Sequence, residues 1–238
     1  MTIDATGMYF QELNEKVRET DKSVTINNCC GQRFIAAGQS DKTITINGTP
    51  GNALGAYLNG AKIKVNGNAQ DAVGDTMNEG KIVISGHTGD AFGYAMRGGK
   101  LFVRGSAGYR AGIHMKQYKE KKPIVIIGET AGSFLGEYQA GGLIAVLNLN
   151  NAEYCTGNFT GTGMHGGKIY LRTKNKPKNL PAQVLCEKAT DEDIAELMPH
   201  LKEYCKAFDL NAEEIAKSEF LVLKPNAKNP YKKLYTNN

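Results

Sequence analysis

Pairs of hydrophobic residues recur at a fixed interval along the first half of the chain. The two members of each pair are two positions apart, and successive pairs follow every 19 residues; they are Ile44 and Ile46, Ile63 and Val65, Ile82 and Ile84, and Leu101 and Val103. Alternation with a period of two is typical of a β-strand that buries one face. The pattern therefore predicts one short strand in each repeat.

An insertion lengthens the repeat that follows Leu101. We interpret it as four residues, which places Ile124 beneath Leu101 in the stack and pairs Ile124 with Ile126. The charges of residues 117–122 cannot enter a core unpaired, so we expect a solvated or partner-facing loop there. Two later pairs complete the series, namely Ile144 with Val146 and Ile169 with Leu171.

A glycine precedes most of these pairs by eight residues and defines a reference position in each repeat. The reference glycines are Gly55, Gly74, Gly93, Gly112, Gly136 and Gly161, and Ala36 takes this place in the first copy. Glycine permits a positive φ or a close backbone approach, so we assign these residues a structural role at a corner. A phosphate-binding loop is the weaker interpretation, because such a loop occurs once in a domain and this motif is periodic.

The length of the repeat limits the fold class. One strand and three corners in 19 residues leave no room for a helix, so we predict an all-β, single-stranded parallel solenoid of about seven coils. This solenoid occupies residues 25–173 in our assignment. Its two ends need covers, which we assign to a helix in residues 1–24 and to a helical and extended segment in residues 174–238. Thr190 and Asp193 resemble a capping box within that segment.

Two polar or sulfur-containing columns also follow the repeat. Three residues after the reference position lie Met77, Met96, Met115 and Met164, which we interpret as core filling rather than a soft metal site. Three residues before it lie Asn52, Asp71, Asp90 and Asn158, which we expect to occupy tight corners and to bond the local backbone.

Charge and hydropathy argue against several function classes. The formal net charge is +5, and the basic residues are concentrated late in the chain. Nucleic acid or an acidic partner would fit them, but we favour a solvated lysine-rich tail and expect no nucleic acid. No apolar run approaches the length of a membrane span, and the chain does not open on a signal peptide. We therefore expect no membrane association and a cytoplasmic location.

Residues suited to catalysis are sparse. The five cysteines include no Cys-x-x-Cys, and we interpret Cys29 and Cys30 as small buried residues rather than a redox pair. The four histidines lack metal-ligand spacing, and His87 and His165 are expected in exposed turns. We assign no catalytic, cofactor-binding or metal residue. A site assembled on one face of the stacked coils, as in a free-standing enzyme, stays open.

Three segments resemble the glycine-rich GXGXG repeat domain at the carboxyl end of the large subunit of glutamate synthase. They are "GDAFGYAMRGGKLFVRG" at 89–105, "AGYRAG" at 107–112 and "GEYQAGGLIAVLNL" at 136–149, within a likeness that spans about residues 25–172. The resemblance implies a right-handed parallel β-helix. It also implies a domain that holds a glutaminase domain and an FMN and iron–sulfur synthase domain together without supplying the main catalytic groups.

The segments "GNFTGTGMHGGKIYLR" and "NPYKKLY" are similar to the stand-alone form of this repeat. That form implies a non-catalytic scaffold subunit of a glutamate synthase-type complex, with a glutaminase-type amidotransferase subunit and an FMN/iron–sulfur synthase subunit as partners. FMN and iron–sulfur would then reside in a partner. Related repeats form one of the subunits of formylmethanofuran dehydrogenase and occur in the N-methylglutamate synthase system, so an oxidoreductase subunit of that kind is the alternative. The electron donor, stoichiometry and homo-oligomerisation stay open.

Arg110 departs from the residue type of its column. This column lies two residues before the reference position, and we interpret it as inward-facing; it contains Ala53, Ala72, Ala91, Arg110, Phe134 and Phe159. A buried arginine is costly unless it is paired. Either the insertion opens the corner and Arg110 reaches water, or its guanidinium binds a carboxylate or carbonyls and fixes a surface that meets the synthase partner. Arg110 is thus the candidate partner contact.

Overall fold

The computed structural model describes residues 1–226 of the chain. Within them, eleven strands form one continuous sheet that three helices flank. The strands are β1 (Thr2–Asp4), β2 (Ser23–Cys30), β3 (Thr43–Thr49), β4 (Asn59–Asn66), β5 (Glu79–Ile84), β6 (Lys100–Val103), β7 (Ile124–Ile127), β8 (Ala140–Val146), β9 (Gly166–Leu171), β10 (Val184–Lys188) and β11 (Leu221–Pro225). The helices are α1 (Phe10–Glu19), α2 (Asp191–Phe208) and α3 (Ala212–Ala216).

Strands β1 to β9 pair in parallel in sequence order, each with the equivalent strand of the next coil. One buried residue from each coil forms a continuous inner column, made of Val24, Ile44, Ile63, Ile82, Leu101, Val125, Ile144 and Ile169. The predicted parallel β-solenoid with flanking helices is therefore confirmed. It has about eight turns rather than seven, because β2 adds a coil before the first reference position.

The expected register after the insertion is wrong by one residue. Leu101 pairs with Val125, and Ile124 lies beside Lys100. The insertion is therefore five residues long, since Val125 takes the place that a four-residue insertion would give to Ile124. A shift of one residue exchanges the two faces of a strand. Val125 thus faces the solenoid core, whereas Ile124 belongs to the cluster beneath α2.

Helix α1 covers the first coil. Leu13 and Val17 are buried in the inner core. The carboxyl end of α1 leaves carbonyl groups without helical partners, and the Lys42 ammonium group donates to the carbonyls of Val17, Arg18 and Thr20 at 2.7, 2.8 and 2.5 Å. The positive charge of Lys42 also interacts favourably with the negative end of the helix dipole.

The carboxyl-terminal elements cover both the last edge of the sheet and part of its outer face. The free edge of β9 is paired by β11, and β10 pairs with β11, both antiparallel. Helix α2 begins with the predicted capping box of Thr190 and Asp193 and lies across the outer face of the sheet. There Tyr204 packs on Phe102, with ring centroids 5.6 Å apart, and donates its hydroxyl hydrogen to the Val103 carbonyl. The predicted extended tail is β11 in part, and its segment "NPYKKLY" lies outside the described residues.

None of the helices found in residues 1–226 is both long enough and apolar enough to cross a bilayer.

Candidate interaction surface

Each coil turns one corner through three left-handed residues at alternate positions. In the coil that follows β6 these are Arg110, Gly112 and His114, with φ values of 57°, 69° and 55°. The N–H groups of Arg110 and His114 donate to carbonyls of the following coil at 2.9 and 2.8 Å. The N–H of Gly112 donates in the opposite direction, to the Phe92 carbonyl of the preceding coil at 2.7 Å. The corner backbone is thus hydrogen-bonded to both neighbouring coils.

The central position of the corner points into the core and excludes larger residues. A Cβ atom on Gly55 would lie 2.5 Å from Ile82 Cδ1, well inside van der Waals contact. The six reference glycines have φ values between 64° and 76°; they are Gly55, Gly74, Gly93, Gly112, Gly136 and Gly161. Ala36, in the first coil, adopts a φ of 59°.

The column of Arg110 faces outward, so the expectation of an inward-facing column is wrong. The fully buried residues lie one position later, immediately before the reference position; they are Ile35, Leu54, Val73, Phe92, Ala111, Leu135 and Thr160. The residue before the reference position and the reference position itself therefore both belong to the core, and the Arg110 column lies outside them. The outward column is left-handed throughout. Of its three aromatic members, Phe34 and Phe159 are 44% and 42% exposed and Phe134 is half-buried.

Exposed aromatic side chains gather on this corner. Of the ten large apolar side chains that are exposed in residues 1–226, six lie within three residues of a reference position; they are Phe34, Tyr57, Tyr94, Tyr109, Tyr138 and Phe159. We use the name aromatic corner for the contiguous part of this surface, which consists of Tyr94, Tyr109, Arg110, His114, Phe134, Tyr138 and Phe159. The sequence could have indicated it, because aromatic residues recur at the two outward left-handed positions.

Two rows of stacked rings run along the aromatic corner. In the first row, Phe134 stacks on Phe159 with centroids 5.2 Å apart and an interplanar angle of 27°. In the second row, His114 stacks on Tyr138 at 5.0 Å and 11°, and Tyr94 meets His114 edge-on at 6.0 Å. The two stacked pairs, Phe134 with Phe159 and His114 with Tyr138, follow from the repeat, which places equivalent side chains of successive coils above one another.

Arg110 lies at the end of the first row, with its guanidinium group over the Phe134 ring. Its guanidinium carbon lies 5.0 Å from the centre of the Phe134 ring, and its Nε is 3.2 Å from Glu137 Oε2. The Arg110 side chain is 52% exposed, whereas that of Glu137 is only 13% exposed. The guanidinium is thus paired within the chain while one side of it reaches solvent. Its role as a partner contact stays a prediction.

The Asn/Asp column stabilises neighbouring coils rather than its own turn. Asp71 Oδ1 accepts the Asp90 backbone N–H at 2.9 Å, and Asp90 Oδ1 accepts the Tyr109 N–H at 2.8 Å. The expectation that Asp71 and Asp90 bond the local backbone is wrong, because each carboxylate accepts an N–H group of the next coil instead. His87 acts in the same way, because its exposed ring accepts the Ser106 N–H at Nδ1. His165 is exposed, as expected.

The methionine column lies in the core. Met77, Met96, Met115 and Met164 are buried, and Gln139 replaces methionine in one coil. The Gln139 amide donates to the carbonyls of Gly141 and Gly142. Residues 1–226 contain no group of three or more His, Cys, Asp or Glu side chains arranged to hold a metal ion.

The neighbouring cysteines have different environments. Cys29 is buried and Cys30 is exposed, so the interpretation of both as buried residues is wrong for Cys30. Burial raises the pKa of the Cys29 thiol to about 11 and that of Cys155 to about 12. Both buried thiols are therefore protonated and unreactive at neutral pH.

A second polar cluster lies between α2 and the sheet. Lys168 contacts Asp193 and Glu196, both at 2.7 Å, and Tyr170 donates to Glu196 at 2.9 Å. Burial by itself would raise the pKa of both carboxyl groups. Hydrogen bonds outweigh that effect and lower both pKa values to about 2. Asp193 accepts from Lys168, the Thr190 backbone and Lys224, and Glu196 accepts from Lys122, Lys168 and Tyr170. This cluster holds α2 against the solenoid.

A polar depression of about 630 Å³ lies where β8 and β9 end. Arg172 lines it, but its guanidinium already donates to Ser218 Oγ and to the carbonyls of Leu147 and Asn148. The depression therefore offers no unsatisfied charged donor from Arg172.

The chain is thus a single-stranded parallel β-solenoid whose corners are built on left-handed glycines and carry aromatic side chains. It belongs to the GXGXG motif family, whose model matches residues 8–225. The resemblance to the glycine-rich repeat family is confirmed.

Two comparisons extend this assignment. The chain is 45% identical to an uncharacterized protein of Methanocaldococcus jannaschii over 251 residues, which cover 99% of this chain and 96% of that protein. It is also similar to a chain in the crystal structure of the formyltransferase/hydrolase complex of Methylorubrum extorquens in complex with methylofuran. The TM-score is 0.63 and the identity 18%, over 84% of this chain and 71% of the other. That likeness shows the fold.

Proposed function

We propose that the protein is a non-catalytic scaffold subunit of a glutamate synthase-type complex. In this role it bridges a glutaminase-type amidotransferase subunit and an FMN/iron–sulfur synthase subunit. The observation that carries the proposal is the aromatic corner, a contiguous exposed surface of aromatic rings and one arginine on a hydrogen-bonded backbone. Tyrosine and arginine are enriched among the residues that dominate binding energy at protein interfaces, and a rigid backbone reduces the entropy lost on association.

The assembled complex would convert glutamine, 2-oxoglutarate, two electrons and two protons into two molecules of glutamate. The amidotransferase subunit would release ammonia from glutamine, and the synthase subunit would carry the FMN and iron–sulfur groups that deliver the electrons. The scaffold would fix the distance between them. This assignment places the protein in glutamate biosynthesis and rests on the resemblance of the three repeat segments and on membership of the GXGXG motif family.

The second candidate is a subunit of a one-carbon oxidoreductase, similar to the repeat-containing subunit of formylmethanofuran dehydrogenase or to the N-methylglutamate synthase component. The observation that favours it is the solved structural neighbour, which is part of a formyltransferase/hydrolase complex. Both candidates share a subunit that binds other subunits through a β-solenoid.

Reconstitution tests the proposal. Purified amidotransferase and synthase subunits are assayed for glutamine-dependent glutamate synthesis with and without this chain, with reduced electron donor supplied. We expect the chain alone to be inactive and to raise the coupled rate of the pair at least tenfold. Glutamate synthesis by the isolated chain, or an unchanged coupled rate, would contradict the proposal. Co-purification with formyltransferase or molybdenum- or tungsten-containing subunits would favour the second candidate.

The corner itself is tested by Tyr138→Ala combined with Phe159→Ala. Alanine already occupies the corresponding left-handed positions at Ala95 and Ala91, so the fold should tolerate both changes. The matched control is Tyr57→Ala, which removes a 59% exposed tyrosine from the same repeat position in another coil. We expect the double variant to weaken assembly at least tenfold and the control to leave it unchanged. Equal assembly of both would show that the aromatic corner is not the contact.

A further inference from the structure

The outer face of the sheet changes character between β4 and β5. One outward column reads, in hydrogen-bonded register, Thr25, Thr45, Lys64, Val83, Phe102, Ile126, Ala145 and Tyr170. Its apolar part is the part that α2 covers. Its polar part, on β2 to β4, has no covering element among residues 1–226. We use the name open face for Thr43, Thr45, Lys62 and Lys64, the outward residues of β3 and β4 nearest to α2.

The covered part shows how this face binds a helix. Glu203 of α2 contacts Lys81 of β5 at 3.0 Å and also contacts Lys100 of β6. Lys122, which precedes β7, contacts Glu196 at 2.5 Å. The lysines of the sheet therefore receive carboxylates that α2 presents, while apolar side chains of the helix fill the space between them. Each lysine here is about one-third exposed, so its stem packs on the sheet while its ammonium group reaches the carboxylate.

The lysine column continues onto the open face without acidic partners. Lys62 is in register with Lys81, and Lys64 lies two residues further along the same outward face of β4. Both lysines are exposed, and neither forms an ion pair within the part of the chain that the structure describes. Lys62 and Lys64 thus present two ammonium groups on one strand, which favour a ligand with more than one carboxylate.

An apolar notch lies where the open face meets α2. Its volume is about 270 Å³, and the residues that line it include Lys62, Lys64 and Lys81 of the sheet, the apolar Val83, and Ala207 of α2. An apolar side chain could insert there beneath the two lysines. An apolar anchor surrounded by charged residues is the usual arrangement of an interface hot spot.

We propose that the open face binds an acidic segment of a partner subunit, with carboxylates on Lys62 and Lys64 and one apolar side chain in the notch. This inference rests on the proposed function, since it assumes a partner. The positive charge of Lys62 and Lys64 favours an acidic occupant over a basic one. The residues of this chain outside the described part include Lys228, Lys232 and Lys233, so they have the wrong sign to cover it.

Zero-length cross-linking tests the proposal on the complex isolated through a tag on the full-length chain. A carbodiimide joins an amine to a carboxylate only where the two groups are in contact. We expect amide cross-links from Lys62 or Lys64 to Asp or Glu side chains of a different subunit. Cross-links to this chain alone, to a second copy of it, or none at all in the assembled complex would overturn the inference, as would nuclease-sensitive binding at these lysines.

A charge reversal measures the energetic contribution. Lys62→Glu with Lys64→Glu should weaken assembly at least tenfold, and Lys62→Gln with Lys64→Gln should weaken it less. The matched control is Lys174→Glu with Lys217→Glu, which changes the net charge equally at two exposed lysines outside the open face. Unchanged assembly of the Lys62/Lys64 variants, with unfolding temperatures within about 2 °C of the parent, overturns the inference.

This result is separable from that of the proposed function. A native complex with subunits other than a glutaminase and a synthase would refute the proposed function and still allow the open face to be tested on those subunits. Recovery of the chain without any partner would overturn both.

Discussion

Replacing Gly55 with alanine should destabilise the solenoid through two effects that matched variants can separate. The first is backbone strain, because Gly55 has a φ of 64°. The second is steric overlap, because the new Cβ would lie 2.5 Å from Ile82 Cδ1. Gly38 isolates the first effect: it has a φ of 69° in the adjacent coil, and nothing lies within 4 Å of the Cβ that alanine would add.

The magnitudes follow from these contacts. A left-handed alanine costs about 1–2 kcal/mol, and the stiffer unfolded chain offsets about 0.4–1 kcal/mol of that, so Gly38→Ala should cost on the order of 1 kcal/mol. Carbon atoms prefer separations of about 3.5–4.0 Å, so Ile82 must move by about 1 Å in Gly55→Ala. Overpacking of this kind costs about 1–3 kcal/mol more, which gives a total of about 2–4 kcal/mol.

Ile82→Val removes the atom that the new methyl group meets. By itself this change should cost about 0.5–1.5 kcal/mol. In combination with Gly55→Ala it should relieve the overlap, so the double variant should be about 1–2 kcal/mol more stable than the sum of the single changes predicts. Equilibrium urea unfolding of the parent, Gly55→Ala, Ile82→Val, the double variant and Gly38→Ala, followed by circular dichroism with an unchanged m-value, measures this coupling and both single costs. Additivity within about 0.5 kcal/mol, or equal costs for Gly38→Ala and Gly55→Ala, would refute the assigned corner geometry.

Four further outcomes are expected. Gly93→Val should cost several kcal/mol in the same unfolding assay, since it adds β-branching at a φ of 76° beside Met96 and Leu101; a cost below about 1 kcal/mol would contradict this. Because the pKa values of Asp193 and Glu196 are lowered to about 2, their contribution to stability is present above the unfolded pKa of about 4 and is lost as the pH falls from about 4 to 2. Glu196→Gln should reduce that acid dependence, and an identical pH profile would contradict the assignment. Arg110→Lys should leave the unfolding temperature within about 3 °C but weaken subunit assembly, and unchanged assembly would show that the guanidinium is not a partner contact. Under native conditions at pH 8, iodoacetamide should label Cys30 and leave Cys29 and Cys155 unmodified, as peptide mass spectrometry would detect.

The inner architecture could be predicted from the sequence because every coil repeats it. Ile44, Ile63, Ile82 and Leu101 occupy the same structural position in successive coils. Because all four are apolar, the assignment of this position to the core does not depend on any one residue. The insertion has no such repetition. Between Gly112 and Gly136 the pattern offers both Ile124 with Ile126 and Val125 with Ile127, because all four residues are apolar. The strand is buried on both faces, by the core and by α2, and alternation therefore gives no information there.

The surface of the corner was harder to predict because one column mixes residue types. Ala53 and Phe159 occupy equivalent positions, and Ala53 is buried while Phe159 is exposed. Small apolar residues such as Ala53 suggest a core position when only their size is considered, and the sequence does not show that their backbone is left-handed. The two aromatic rows become evident once the backbone is known to be left-handed at alternate residues. The candidate site was thus predicted at one residue, Arg110, and the rings around it were missed.

The position of α2 could have been inferred from the columns that the strands expose. Residues between the members of the inner pairs read Thr45 and Lys64 in the early coils and Val83 and Phe102 in the next two. A solenoid with water on its outer face needs polar residues there, so the change to apolar residues at β5 indicates a covering element that begins at that strand. The same reasoning applies to the open face, whose residues remain polar. If an obligate partner covered the open face through apolar contacts, positions 45 and 64 would carry apolar residues, as positions 83 and 102 do beneath α2. The polar residues instead favour a partner that associates through charge, and its binding should therefore weaken as the salt concentration rises.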